Sequence, residues 1–179
     1  MAEVQLDIHK DLIEACKGGN RRAQYKLYQL YSRAMYNICM RMMNNREDAE
    51  DMLQESFTEA FRKLHSFRYE ATFGAWLKRV VVNRCINELR RRNSALINVD
   101  NIEVFDTQDV VFEDAELDVQ RILYAMEKLP DGYRVVFSLY LLEGYDHQEI
   151  SQIMGISEST SKTQLFRAKV KLKEILTQS

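Results

Sequence analysis

A chain of 179 residues has room for one domain or for two small ones. Its six glycines and single proline supply little material for tight turns, so the composition favours helices over β-hairpins. The net charge of −2 is unevenly spread, because residues 78–92 hold six basic side chains against one acidic and residues 162–173 hold five with no acid. Local charge rather than net charge makes a binding surface, so both stretches are candidate nucleic-acid surfaces.

Several classes of protein are disfavoured. Cys16, Cys39 and Cys85 are odd in number and widely spaced, which is typical of buried, reduced thiols. No apolar run reaches the ~18 residues of a membrane span, and no signal peptide is visible, so we expect a cytoplasmic protein without membrane insertion. No phosphate loop, nucleophile–base pair or metal cluster is visible either. We therefore expect binding rather than catalysis, with no catalytic residue, metal or cofactor.

Two helices are predicted at the start of the chain. Residues 7–17 form the first, ending at Gly18, and Asn20 is the expected N-cap of a second that runs to about Met43. Tyrosines recur along the second helix at helical spacing. We expect them to pack a core rather than to stack on bases.

An amphipathic helix is predicted from Glu47, with Asn45 as its cap. Its apolar residues recur every three or four positions, and Asp51, Gln54 and Glu55 share another face. By composition alone, such a polar stripe is most often a solvated face.

An aromatic loop, His65 to Thr72, precedes a basic helix. We expect Phe73 and Trp76 to lie mostly in the core. A basic helix beside an aromatic loop also suits single-stranded DNA, because cations hold phosphates while a pocket receives an unstacked base. Asn83 on this helix can read a base edge, although an amide there can also form a helix–helix hydrogen bond.

The last third of the chain predicts a helix-turn-helix. Asp146 and Glu149 form a capping-box pattern, Gly155 marks a tight turn, and Ser157 is the expected cap of a final helix to about Leu176. The second helix of such a motif lies in the major groove. Its expected exposed face contains Ser159, Lys162, Thr163, Phe166 and Arg167.

These stretches carry a family resemblance. The run DAEDMLQESFTEAFRKLHSFR with FGAWLKRVVVNRCINELRRR resembles the second conserved region of the bacterial extracytoplasmic-function (ECF) sigma factors, members of the sigma-70 family. The stretch LPDGYRVVFSLYLLEGYDHQEISQIMGISESTSKTQLFRAKVKL resembles that family's fourth region. The resemblance implies a subunit that binds core RNA polymerase and promoter DNA, directs transcription initiation, and has an anti-sigma factor as a further partner.

The resemblance also implies roles for single residues. Asp51, Gln54 and Glu55 stand in the DxxQE pattern with which the family docks on polymerase. Promoter melting and single-strand binding fall to the loop and the basic helix, with Asn83 at the position of the family's pocket asparagine; the residues are Phe67, Arg79, Asn83 and Arg84. Two positions depart from the family's helix-turn-helix pattern. Ser151 is harmless by size, whereas Ser161 replaces a buried valine and is expected to weaken the contact between the two helices.

The expected fold is all-α, with two small helical domains. Residues 1–95 form the region 2 domain, residues 96–116 a flexible acidic linker, and residues 117–179 the region 4 helix-turn-helix domain. The linker's acidity suits the basic channels of polymerase, or only keeps it extended and soluble. Two other functions stay open: a helix-turn-helix regulator that binds operator DNA independently of polymerase, and an enzyme on a helical scaffold, for which no residue set is visible.

Overall fold

The computed structural model describes residues 8–92 and 119–178. Within these two ranges the regular structure is helical and contains no strand, which confirms the all-α prediction. The chain divides into two compact units, Met1–Asn87 and Glu88–Ser179. The predicted linker, residues 96–116, lies outside the described residues. No helix in the described ranges is long and apolar enough to cross a membrane.

The first unit contains three α-helices, most of a fourth, and a short 3-10 turn, Leu64–Ser66, that follows the third helix. The α-helices are α1 (Lys10–Lys17), α2 (Arg21–Met43), α3 (Arg46–Lys63) and α4 (Phe73–Arg92). The predicted caps are confirmed. The Asn20 side chain accepts hydrogen bonds from the backbone N–H groups of Arg22 and Ala23, and Asn45 accepts one from Asp48. Side-chain caps satisfy donors that the first turn of a helix leaves unpaired, so they fix where α2 and α3 begin.

The core of the first unit forms where α2 packs against α3 and α1 packs against α2. Each helix buries one apolar face, as the spacing of Ala49, Leu53 and Phe57 in α3 predicts. All three cysteines are free and buried. A hydrogen bond with Cys39 and burial raise the pKa of the Cys85 thiol well above its usual range, so this thiol stays protonated and behaves as a small core side chain.

Aromatic rings join the loop before α4 to the rest of the first unit. Phe67 is 4% exposed and lies against Tyr69, Phe73 and Trp76, with ring centroids 4.7 to 5.7 Å apart. Phe73 also meets Tyr31 of α2 at 5.1 Å. Such tilted and edge-on pairs stabilise beyond simple burial, and they fix the direction in which α4 leaves the loop.

Two predictions about aromatic residues had different outcomes. Phe73 is fully buried, as expected, and Trp76 is partly buried. The tyrosines of α2 were expected to pack the core. Tyr28 does lie against Phe57, but Tyr25 is 64% exposed, so the expectation is wrong for Tyr25. Helical spacing fixes the direction of a side chain relative to its own helix, but not whether a neighbouring element covers it.

The second unit is organised around its last helix. The described helices are α5 (Val119–Glu127), α6 (Asp131–Phe137), α7 (His147–Met154) and α8 (Glu158–Thr177), and α5, α6 and α7 all pack against α8. The predicted capping box between Asp146 and Glu149 forms in both directions, and the Ser157 side chain caps α8. Gly155 takes a φ of +64° between α7 and α8, a conformation that glycine adopts without steric strain.

One helix of the second unit differs from the prediction. Pro130 suits the first turn of a helix and Gly144 its end, which predicts one helix between them. Instead, α6 gives way to a π-helical turn over Ser138–Leu142. The Glu143 N–H then bonds to the Ser138 carbonyl, five residues back. A wider turn shifts the side chains that follow it, and a period of 3.6 read from sequence does not reveal it.

Candidate nucleic-acid interface

The acidic stripe of α3, which consists of Asp51, Gln54 and Glu55, lies on the surface of the first unit. All three residues are exposed. The opposite face of α3 is buried, with Met52, Leu53 and Ser56 turned into the core. The packing of α3 therefore forces the stripe outward, where a partner's cationic side chains can pair with it.

A basic residue of α4 is paired with this stripe. The guanidinium of Arg84 lies 2.8 Å from a carboxylate oxygen of Glu55 and 3.8 Å from one of Glu59. Together with Gln54, Thr58 and Arg62, these residues line an open cavity of about 290 Å³ between α3 and α4. The family resemblance implies a DNA contact for Arg84 and a polymerase contact for Glu55, whereas the structure brings the two side chains into contact.

Glu59 was missed by the sequence prediction. Its spacing of four residues from Glu55 places both carboxylates on the same side of α3, and that signal was present in the sequence. Its strongest interaction is the hydrogen bond from Lys63, which lowers the pKa of Glu59, and Arg84 lowers it further. The carboxylates of Glu55 and Glu59 face Arg84 and offset part of the positive charge of α4.

The remaining residues predicted to bind single-stranded DNA are placed differently from one another. Arg79 and Asn83 are exposed on α4. The Asn83 amide forms no hydrogen bond with any other described residue, which argues against the alternative of a structural amide. Phe67 is buried against three aromatic rings, so its ring cannot stack on a base in this conformation. Its position supports the loop from within.

The basic end of α4 is also less free than its sequence indicates. Arg91 and Arg92 both donate hydrogen bonds to Glu88, at 2.7 and 2.5 Å. These bonds, with Arg91 contributing most, lower the pKa of Glu88 to about 2. One acidic residue among six basic ones thus engages two of the arginines.

The recognition face of α8 differs from the prediction at one position. Ser159 and Lys162 are exposed, and Phe166 and Arg167 are partly buried. Thr163, in contrast, is buried, and its hydroxyl donates to the Ser159 carbonyl at 2.9 Å. The prediction that Thr163 lies on the exposed face is wrong, because α8 packs against several helices and buries a wider face than an edge helix would.

Ser161, which departs from the family's helix-turn-helix pattern, forms a polar contact between α7 and α8. Ser161 is fully buried, and its hydroxyl lies 2.8 Å from Nδ1 of His147, the first residue of α7. Tyr140 stacks on the same imidazole, with centroids 4.5 Å apart. A buried hydroxyl without a partner destabilises a protein, and here the partner lies in the other helix of the motif. The expected weakening of the contact between α7 and α8 is therefore offset by a hydrogen bond that the sequence prediction missed.

Models of known families match both units of the chain. Residues 27–95 match the model described as Sigma-70 region 2, and residues 119–172 match the one described as Sigma-70, region 4. These ranges contain the acidic stripe, the loop with α4, and the recognition face.

Two relatives with known roles align over nearly their whole length. The chain is 32% identical to the ECF RNA polymerase sigma factor SigM of Bacillus subtilis, an alignment that spans 84% of this chain and 93% of the relative. It is 30% identical to the ECF RNA polymerase sigma factor SigM of Mycobacterium tuberculosis, over 93% of this chain and 83% of the relative.

A solved structure has a similar fold. The sigma factor RpoE of Bartonella quintana, in complex with the anti-sigma factor NepR, matches with a TM-score of 0.57 at 22% identity. The match covers 86% of this chain and 96% of that one. At this identity the likeness supports the all-α architecture.

The partial burial of His147 leads to a pH-dependent stability of the second unit. Burial lowers the pKa of His147 below its usual value of 6.5; Lys162 and Lys169 lower it too, whereas Asp146 and Glu158 oppose them. The unfolded chain therefore binds a proton at a higher pH than the folded chain does. The stability contributed by neutral His147 is present above about pH 6.5 and is lost as pH falls through the folded pKa.

We expect the second unit to unfold at a lower urea concentration at pH 5.5 than at pH 7.5. This shift should be smaller in His147→Gln, which cannot titrate. Trp76, the one tryptophan, lies in the first unit, so its fluorescence reports that unit alone while circular dichroism reports both. Equal pH shifts in the circular dichroism transitions of the two proteins would contradict the prediction.

Proposed function

The chain belongs to the ECF sigma factors of the sigma-70 family, which bind core RNA polymerase and direct it to promoters, and we propose that three separate surfaces divide this work. The acidic stripe of α3 docks on polymerase. The loop–helix surface, formed by residues 68–72 with Arg79, Asn83 and Arg84, holds unpaired promoter DNA, and the buried Phe67 supports it from beneath. The recognition face of α8, formed by Ser159, Lys162, Phe166 and Arg167, reads a duplex element.

The observation that carries this division is the geometry of the first unit, in which opposite charges line two adjacent helices. Asp51, Gln54 and Glu55 face solvent on α3, while Arg79 and Asn83 face solvent on α4. An exposed carboxylate stripe suits a cationic protein partner, and exposed cations with an amide suit phosphates and a base edge. In a regulator that binds operator DNA alone, the acidic stripe would be only a solvated face.

Within the docking site, Arg84 has two possible partners. In the free protein it is paired with Glu55, and both side chains are more than a third exposed, so this ion pair contributes little to stability. A polymerase arginine that engages Glu55 would compete with Arg84 for the same carboxylate. Docking then releases Arg84 toward the phosphates of the opened strand.

The recognition face supports duplex binding by its position. Lys162 lies one turn into α8 and is exposed, where the N-terminal half of such a helix meets base edges. Lys171 lies further along and forms an ion pair with Glu174 at 2.9 Å, so it is engaged on the protein surface. Specific contacts are expected from the first half of α8, and phosphate contacts from the second.

We also infer a regulatory partner and a compartment. A structurally similar sigma factor is bound to an anti-sigma factor, and we propose that this chain has a partner of the same kind. Because core polymerase and promoter DNA are its targets, we expect it to act in the cytoplasm. The decisive experiment for the whole proposal is co-purification with core polymerase followed by run-off transcription. Binding of DNA without polymerase, and no transcript with it, would favour the operator-binding alternative.

The docking proposal predicts that Asp51→Arg weakens binding to core polymerase by about tenfold or more, because a cation would face the partner's cations. Asp51 is a better choice than Glu55, since it forms no ion pair with another described residue and its reversal leaves the contact of Arg84 intact. The measurement is affinity for fluorescently labelled core enzyme. Asp11→Arg, an equal charge reversal at an exposed site on α1, is the control. Equal losses of polymerase affinity in both variants, or no loss in either, would show that the stripe is only a solvated face.

The melting proposal predicts that Asn83→Ala slows open-complex formation on duplex promoters by about tenfold, the loss of one captured base. The defect should be smaller on a promoter with a pre-melted bubble, where strand separation is already complete. A promoter can be recovered by transcription-based selection from a random library with the unaltered holoenzyme. If Asn83→Ala instead lowers the unfolding midpoint seen by Trp76 fluorescence and spares opening, Asn83 is a structural amide.

The duplex proposal predicts different outcomes for two exposed lysines of α8. Lys162→Ala should change which upstream elements are preferred, because loss of a base-edge contact costs about 1–3 kcal/mol at one position. Lys173→Ala should weaken all sequences alike and reduce the salt dependence by about one counterion. The assay is competition between matched and mismatched promoters at two salt concentrations, with holoenzyme. Equal, sequence-independent losses would reduce α8 to a nonspecific basic surface.

A further inference from the structure

The helix α1 carries a polar stripe that faces the loop before α4. Lys10, Glu14 and Lys17 are spaced by four and three residues, which places them on one side of the helix. Ile13 and Cys16 turn the other way and are buried in the core. The stripe is therefore fixed in direction by the packing of α1.

All three side chains of the stripe meet one loop residue, Tyr69. The Lys17 ammonium lies 4.7 Å from the centroid of the Tyr69 ring, and the Lys10 ammonium lies 5.7 Å from it, both within the range of cation–π attraction. The Tyr69 hydroxyl donates a hydrogen bond to Glu14 at 2.5 Å. The ring is thus contacted on its face by cations and at its tip by a carboxylate.

Lys17 also holds the loop backbone. Its ammonium donates to the Phe67 carbonyl at 3.1 Å and to Glu14 at 3.0 Å, and its side chain is only 17% exposed. The hydrogen bonds from Tyr69 and Lys17 lower the pKa of Glu14, so this carboxylate remains ionised at neutral pH. One lysine therefore ties the backbone two residues before Tyr69 to the carboxylate that binds Tyr69.

The backbone of Tyr69 is in an unfavourable conformation. Its φ is +60°, in the left-handed region where a residue with a Cβ atom is sterically strained. Such a conformation persists only where the surroundings impose it, and it is concentrated at functional sites. The contacts from α1 are among the surroundings that hold Tyr69.

We propose that Lys17, Glu14 and Tyr69 form a latch through which α1 sets the loop of residues 67–72 in the conformation that receives an unpaired promoter base. They are positioning residues, and the inference rests on the proposed function of the loop–helix surface. An ordered loop needs to lose less conformational entropy when DNA binds, so the latch strengthens capture without touching the base. Phe67, buried beneath the loop, is the anchor to which Lys17 is tied.

The test measures binding of a fluorescent single-stranded oligonucleotide to holoenzyme containing the full chain. The oligonucleotide carries the non-template strand of a promoter selected with the unaltered holoenzyme. We expect Lys17→Met to weaken this binding by about tenfold, as befits the loss of a charged hydrogen bond. Tyr69→Phe, which removes only the hydroxyl, should weaken it less, and Lys17→Arg should restore part of it.

Two controls separate positioning from loss of charge or of fold. Lys26→Met removes one exposed cation from α2 of the same unit and should leave oligonucleotide binding unchanged. Affinity for core polymerase should be unchanged in every variant. If Lys17→Met does not fold, Tyr69→Phe carries the test, because it deletes a single atom. A parallel loss of polymerase affinity in the latch variants would make Lys17 a general structural residue and overturn the latch.

Comparison with Asn83→Ala distinguishes the latch from the surface it serves. If Asn83→Ala weakens oligonucleotide binding while the Lys17 and Tyr69 variants bind normally, the latch is wrong and base capture stands. If Asn83→Ala and the latch variants all bind normally, the loop–helix surface does not hold single-stranded DNA, and both proposals fail. Weakened binding in Asn83→Ala and in both latch variants, with Lys26→Met unaffected, supports the latch.

Discussion

The burial of one face of each helix in the first unit is the constraint from which its binding surfaces follow. α3 turns Met52, Leu53 and Ser56 into the core, and this leaves Asp51, Gln54 and Glu55 no direction but outward. α4 buries Leu77, Val81 and Cys85 in the same way and presents Arg79 and Asn83. Hydrophobic burial of a few side chains is worth several kcal/mol, more than a solvent-exposed ion pair, so packing decides where the charges lie.

The positive charge of α4 is partly neutralised by neighbouring carboxylates. Arg84 faces Glu55 and Glu59, while Arg91 and Arg92 share Glu88. The Arg84–Glu55 pair is more than a third exposed on both sides and weak, so a phosphate or a partner's cation can displace it. The paired arginines of such a surface are held by carboxylates in the free protein. They become available to DNA when a partner binds those carboxylates. This property fits a factor that meets DNA together with polymerase.

Each unit has a polar side chain near its core, and different hydrogen-bond partners satisfy the two. In the first, Lys17 is nearly buried but bonds to a backbone carbonyl and a carboxylate, so it orders a loop. In the second, Ser161 stands where an apolar residue would pack, and His147 of the neighbouring helix satisfies its hydroxyl. The Lys17 bond to the Phe67 carbonyl and the Ser161 bond with His147 connect positions more than ten residues apart. They join separate elements and so help to define a single arrangement of each unit.

The sequence by itself determined the helices, their caps and the family. Asn20, Asn45, Asp146 and Ser157 act as N-caps because capping is local chemistry between a side chain and the next turn. The outward direction of the acidic stripe also followed from periodicity, since a helix with one apolar face must expose the other.

Only the tertiary structure decided which predicted residues are available and which pair with each other. Phe67 and Thr163 are buried because neighbouring elements cover them, and Arg84 meets Glu55 because two helices pack side by side. The hydrogen bond between Tyr69 and Glu14 of α1 joins residues 55 positions apart. Periodicity within one helix carries no information on the element that will lie against it, because that is set by the packing of the whole unit.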